Sequence, residues 1–259
     1  MSMDNELIQK ALNKFKEEYP NIHIIFLSVS GSHLYGTNTK NSDIDLRGCF
    51  VYNTNDILLH PNKCNKTIEL KYKDVEITVH EIYKILTMIY HNSNLNFIEE
   101  SLSSQTIITS DEHEKIKEIS NESMTKKLFI HVQGMSVHTK KHAEKENYTN
   151  PKRDLYIIRE LLRGIILFKL GKFYSDILTL TSKYDDFSEK KILSTVQQLI
   201  EFKRQGKDVH FVNDIIQLIS HLEGEMIKSK EFGILKANKR VDVEKKVEKL
   251  ILSIRKKYK

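Results

Sequence analysis

The chain has 259 residues, of which 39% are hydrophobic and 29% charged, with only 3 Pro and 9 Gly. That balance excludes a disordered or collagen-like chain, allows one large domain or two modest ones, and leaves no run near the ~18 apolar residues of a membrane span. The formal net charge of +6 suits a polyanionic partner such as a nucleic acid or a nucleotide, although solvated lysines give the same total. The elements then follow in order. Residues 4–18 carry Leu7, Ala11, Leu12 and Phe15 at helical spacing, with Asp4 or Asn5 as cap and Pro20 as stop. "IHIIFLSV" (22–29) reads as a buried strand. "SDIDLRGCFVY" (42–52) alternates, and Gly48 marks a bulge or a close approach. "TIELKY" and "VEITV" flank Lys73-Asp74 as a hairpin, and a helix is expected from about His80 to His91.

From about residue 110 strand-like runs give way to helical patterns near 111–121, 124–145, 151–170, 187–205, 208–229 and 241–257. Asn150-Pro151 supplies a cap and a first helical position. The expected fold is therefore α+β, a small mixed β-sheet domain over 1–110 followed by an all-helical domain over 111–259. Cys49 and Cys64 form no CxxC pair and no disulfide framework, and "MSMDNELIQKALNKF" has no apolar signal core, so a reducing, cytoplasmic setting is expected.

The stretch richest in chemistry is "SGSHLYGTNTKNSDIDLRG", residues 30–48. Asp43 and Asp45, two apart on a strand, point the same way, with roots about 6–7 Å apart, so both carboxylates can turn to one hard cation. A third carboxylate would complete such a site. Glu76 alternates with Val75 and Ile77 and fills that role, with Glu69 and Asp74 as rivals. A glycine at a strand end lets backbone N–H groups approach a phosphate, and a serine hydroxyl adds a donor, so Gly31 and Ser32 can hold a triphosphate. Singly, each feature is common in loops and on solvated strands; their joint order is rare.

This stretch resembles the signature of the polymerase-β-like nucleotidyltransferase superfamily, Gly-Ser followed by D-x-D. More narrowly, it is similar to predicted nucleotidyltransferases associated with RNA repair, whose pattern is G-S-x-x-Y-G-x-x-x-x-x-S-D-x-D-x-R-G. Gly31, Ser32, Tyr35, Gly36, Ser42, Asp43, Asp45, Arg47 and Gly48 all match. The likeness continues in "VEITVHEIYKILTMIYHNSNLNFIEESL" and "KRDLYIIRELLRGIILFKLGKF", and touches about a third of the chain. Two departures stand out: the third acidic position is Glu76 instead of Asp, and Ser93-Asn94-Leu95-Asn96 lacks the proline of the family's Asn-Pro-Asn. The resemblance implies Mg²⁺- (or Mn²⁺-) dependent transfer of a nucleoside monophosphate from an NTP to an acceptor, releasing pyrophosphate. Asp43, Asp45 and Glu76 would be catalytic metal ligands, and Gly31 and Ser32 would bind the triphosphate. The favoured acceptor is an RNA 3′ end; a protein side chain, or a non-catalytic RNA-binding member of the fold, are the alternatives.

Four other features bear on function. Lys152, Tyr156, Arg159 and Arg163 form one helical stripe opposite Leu155, Ile158, Leu162 and Ile165, and a basic stripe with one aromatic suits nucleotide binding as well as it suits a solvated face. Tyr35 either packs its loop or stacks on a base. Arg47 is expected on the face away from Asp45, paired with an internal carboxylate. His131, His138 and His142 share a face, but with spacing too wide for one ion, and read as a polar helix surface.

Overall fold

The computed structural model describes residues 4–91, 94–238 and 241–259, with only the backbone of Val241; Met1–Met3, the Asn92–Ser93 pair and the Lys239–Arg240 pair lie outside the described residues. The chain divides into two compact units. One comprises Met1–Leu34, Ser42–Ser123 and Lys239–Lys259, the other Tyr35–Asn41 and Met124–Asn238. A boundary at residue 110 does not match this division. The helix after residue 110 and the last helix of the chain both pack with the sheet, and a short segment inside the Gly-Ser/D-x-D stretch belongs to the helical unit.

The sheet unit starts with α1 (Asn5–Glu18), capped by Asp4, whose Oδ1 accepts from the Leu7 N–H at 3.0 Å. Ile8, Ala11, Leu12 and Phe15 are its buried residues, so Ile8 takes the inward place expected of Leu7. There follow β1 (Ile22–Ser30), a single turn α2 (Gly31–Leu34), β2 (Ile44–Tyr52), α3 (Thr54–Leu59) and a 3₁₀ turn at Pro61–Asn65. The hairpin β3 (Thr67–Tyr72) and β4 (Val75–Glu81) turns at Lys73-Asp74, with Lys73 at φ 52. Then come α4 (Ile82–Tyr90), α5 (Leu95–Leu102), a short β5 (Thr106–Ile108) and α6 (Asp111–Ser123).

The five strands run in the order β3-β4-β2-β1-β5, with β2 and β4 parallel and every other neighbour antiparallel. The register of β1 on β2 shifts between Ile24 and Phe26. A Cβ on Gly48 would stand 2.0 Å from the Phe26 carbonyl oxygen, so only glycine permits this approach. Phe26, opposite Cys49, stacks on His113 of α6 at 4.2 Å, so α6 covers the sheet face that also carries Asp45 and Arg47.

In the helical unit lie α7 (Leu128–Lys145), α8 (Pro151–Leu170), α9 (Ile177–Asp185), α10 (Leu193–Gln205) and α11 (Val212–Phe232). As expected, Asn150 caps α8, accepting from the Lys152 N–H at 3.1 Å, with Pro151 in the first turn. α8 ends at Gly171, which is left-handed at φ 62. It is the centre of this unit, packed by α7, α9, α10 and α11, and is buried on nearly every side. The final α12 (Val241–Lys257) returns to the sheet unit. There Arg255 donates to the fully buried Glu81 at 2.6 Å, and Lys246 reaches Glu118 and Glu122.

Candidate active site

Within the sheet unit, the Gly-Ser turn and the second aspartate are in contact. Ser30, the last residue of β1, is the register partner of Asp45 on β2. The next residue, Gly31, is left-handed at φ 61, and a Cβ there would fall 1.9 Å from Asp45 Oδ2. The carboxylate therefore lies against bare backbone, and no side chain fits between them. Ser32 is half-buried in the turn. On the other side of β2, Glu76 of β4 is the register partner of Asp45, half-buried between the buried Val75 and Ile77. Asp43 precedes β2 by one residue and is exposed.

Exposure along this face falls steadily: Asp43 is exposed, Asp45 and Arg47 are intermediate, and Cys49 is buried. The acids thus occupy the open end of a face that helices cover further along. Burial pushes the Asp45 carboxyl above its usual range; Arg47 opposes this, while Glu76 and Asp43 push it further up. Among the described residues, no group of three or more His, Cys, Asp or Glu side chains is arranged to hold a metal ion. The donor set of Asp43, Asp45 and Glu76 is all hard oxygen, which suits Mg²⁺ or Mn²⁺.

Arg47 corrects one expectation. Strand periodicity is 2, so residues 43, 45 and 47 share a face, and Arg47 points to the side of Asp45. Nearby, burial pushes Glu100 of α5 up to about 8, while the charge of Arg47 pulls it down. The sequence reading passes over His33. Its Nε2 lies 3.4 Å from the Ser42 carbonyl oxygen, tying the turn to the residue before Asp43, and its charge lowers the Asp45 pKa. A histidine at a free position of the pattern carries no signal that would mark it.

The helical unit holds the remaining candidates, and there the open basic stripe does not exist. Arg159 is 2% exposed and Arg163 is fully buried, because α8 is the core helix of its unit. Both pair with Glu160: Arg159 Nη1 donates to its Oε1 at 2.9 Å, and Arg163 Nη2 donates to its Oε2. Arg159 also stacks on the ring of Tyr35, its Cζ 3.4 Å from the centroid. Of the two roles considered for Tyr35, the structure displays loop packing. Lys152 is the exposed member of the stripe; it lines a pocket of about 320 Å³ with Lys203 and Lys207. Burial lowers Lys203 to about 8, with Lys152 and Arg204 acting in the same direction. His138 and His142 are ring neighbours at 5.0 Å, and His131 is lowered by its burial.

A strand-end glycine thus bears on one of a pair of alternate aspartates, beside a further acid on the adjoining strand of a mixed sheet. Residues 5–252 match the RNA repair pathway DNA polymerase beta family (RlaP), and the chain belongs to that family. It is 35% identical over 155 residues to an uncharacterized protein of Methanocaldococcus jannaschii. The match covers 59% of this chain and 63% of that relative. Among solved structures it is similar to the spectinomycin adenyltransferase AAD(9) of Enterococcus faecialis, crystallised with ATP and spectinomycin. That match has TM-score 0.46 and 13% identity, over 86% of this chain and 97% of the other. A nucleotidyltransferase-like protein of Exiguobacterium sibiricum matches at TM-score 0.37 and 10% identity, over 86% and 77%.

Proposed function

We propose that this protein transfers a nucleoside monophosphate from an NTP to an RNA 3′ end in a divalent-cation-dependent reaction, and that it does so in the cytoplasm. The observation that carries the reading is the placement of Asp45 against Gly31, with Glu76 opposite it and Asp43 two residues before it. Gly31 and Ser32 bind the triphosphate through backbone N–H groups and the hydroxyl. Asp43, Asp45 and Glu76 hold the cation, which when bound neutralises charge on the phosphate oxygens. The acceptor hydroxyl oxygen bonds to the α-phosphorus, the bond to the bridging oxygen breaks, and pyrophosphate leaves. Glu76 takes the hydroxyl proton. The net charge of +6 favours a polyanionic acceptor.

The test is incubation with each labelled NTP separately, Mg²⁺, and either RNA or a protein extract. Labelled RNA and released pyrophosphate are expected, both lost in Asp43→Ala and Asp45→Ala. Label appearing in protein instead would move the acceptor to a side chain. RNA binding that weakens with salt, without any turnover, would make the protein a binding member of the fold.

A further inference from the structure

The pattern places Tyr35 and Gly36 between the phosphate turn and the aspartates, but the chain does not leave this segment as a free loop. Residues Tyr35–Asn41 pack within the helical unit, although the sheet unit supplies the residues on either side of them. Several contacts hold the segment there. The Tyr35 ring lies flat on the Arg159 guanidinium and edge-on to Tyr156, with centroids 5.9 Å apart. The Tyr35 carbonyl accepts from the Ile177 N–H at 3.0 Å. Gly36 is left-handed at φ 72, and a Cβ there would be 2.2 Å from Asp176 Oδ2, the carboxylate that caps α9. The buried Thr37 accepts from Lys203 Nζ through its carbonyl at 2.5 Å. Arg159 is itself fixed, donating from Nε to the Ser175 carbonyl at 2.9 Å and from Nη1 to Glu160.

We propose that Arg159 and Tyr35 are positioning residues for nucleotidyl transfer. Their stack anchors a strap whose first end continues the Gly31–Leu34 turn and whose second end enters Ser42 and Asp43. Neither residue need touch the nucleotide. The stack sets where the strap begins, and the covalent chain carries that position to the triphosphate turn on one side and to the first aspartate on the other. This assignment explains why a tyrosine and a left-handed glycine follow the Gly-Ser pair, and why an arginine is buried in the middle of α8. It rests on the proposed transfer reaction, and its test is chosen to separate the two.

The experiment compares Tyr35→Phe, which keeps the flat ring, with Tyr35→Ala, which removes it, and adds Arg159→Lys, which keeps the charge but loses the planar group. Per folded molecule, Tyr35→Ala is expected to lose about 10²-fold in kcat, with KM for the NTP changed by less than about threefold, since misplacement of reacting groups is felt in the chemical step. Tyr35→Phe is expected to lose far less than Tyr35→Ala, and Arg159→Lys to fall about tenfold. Amide exchange across residues 35–41 should speed up in Tyr35→Ala but not in Tyr35→Phe. A wild-type kcat in Tyr35→Ala, or an equal loss in Tyr35→Phe, overturns the inference. Should the wild type transfer no nucleotide, the reading of the reaction fails and amide exchange decides the strap on its own: unchanged exchange in Tyr35→Ala overturns it, and local acceleration upholds it.

Discussion

Two charged clusters in this protein are built on opposite electrostatic terms. At the end of the sheet, Asp45 is half-buried beside two further acids, and Glu76 and Asp43 both make its ionisation harder. In the middle of α8, Glu160 is buried to the same or greater depth but stands between two guanidinium groups. In the second cluster the acid has two cationic partners within the chain; in the first, Arg47 opposes the rise at Asp45 and the two neighbouring acids add to it. Buried charge that is internally matched belongs to architecture, whereas like charges gathered at an open edge are kept against the interest of the fold and mark chemistry. Sequence alone displays both as clusters of ionisable residues, so the distinction appears only with burial and partners.

The largest effect expected from this contrast is at Asp45. Asp45→Asn keeps the shape and removes the charge, and nucleotidyl transfer should fall on the order of 10⁴-fold, equivalent to about 5.5 kcal/mol of transition-state stabilisation. Thermal stability should hold or rise, because the replaced carboxyl is one that burial and its neighbours disfavour. Equal losses of stability and activity would make Asp45 a structural residue and remove the contrast.

Glu160 should behave in the reverse way. Glu160→Ala leaves Arg159 and Arg163 buried without their shared carboxylate, at an expected cost of about 3–5 kcal/mol in chemical denaturation. Replacing Arg159, Glu160 and Arg163 together by apolar residues of similar volume should recover much of that stability. It should not recover transfer activity, because the stack on Tyr35 is gone. Full activity in the stabilised triple variant would reduce the α8 cluster to packing alone.

How much of this was legible beforehand depends on the kind of signal. That Glu76 faces away from Val75 and Ile77 follows from period-2 alternation, a local rule, and makes it the expected third acid, whereas its register opposite Asp45 comes from the non-local parallel pairing of β2 with β4. The contact between Gly31 and Asp45 is implied by the order of the motif but needs the antiparallel β1/β2 register to appear. The α8 residues show the opposite. A helical stripe of Lys152, Arg159 and Arg163 reads as an open basic face when the helix is assumed to have a wet side, and α8 has almost none because α7, α9, α10 and α11 surround it. Glu160, the residue that settles the character of the cluster, is off the stripe in the helical wheel and so drew no notice. The unit boundary was hidden for a related reason. Helical patterning reveals that α6 and α12 are helices, not that they belong to the sheet unit, and α5, β5 and α9 are too short to announce themselves. Arg47 is the third member of the alternation Asp43, Asp45, Arg47, so period 2 places it beside Asp45 and not on the opposite face.

Asp154 is where the contrast between matched and unmatched charge meets its hardest case. It lies on α8, five residues before Arg159, is fully buried, and neither carboxylate oxygen has a hydrogen-bond partner among the described residues. Burial, aided by the charge of Glu146, raises it to about 7. It is an unmatched acid in the helical unit, yet nothing places it at the proposed site, so its cost should appear in stability and not in turnover. The sign follows from linkage. The unfolded chain releases this proton near pH 3.9, and the folded chain holds it to about 7. Between those values the native state binds more protons, so stability falls as pH rises through the window, and the full penalty is present above it. Asp154→Asn removes the titration: its stability should match wild type near pH 4 and exceed it by a few kcal/mol near pH 8, with kcat unchanged. Denaturation midpoints measured from pH 4 to pH 8 decide the matter. A constant offset between the two proteins would show that Asp154 does not titrate in this range. A selective loss of kcat would mean that unmatched acids serve chemistry in both units, and the division between the two clusters would have to be drawn by distance from the nucleotide and not by charge balance.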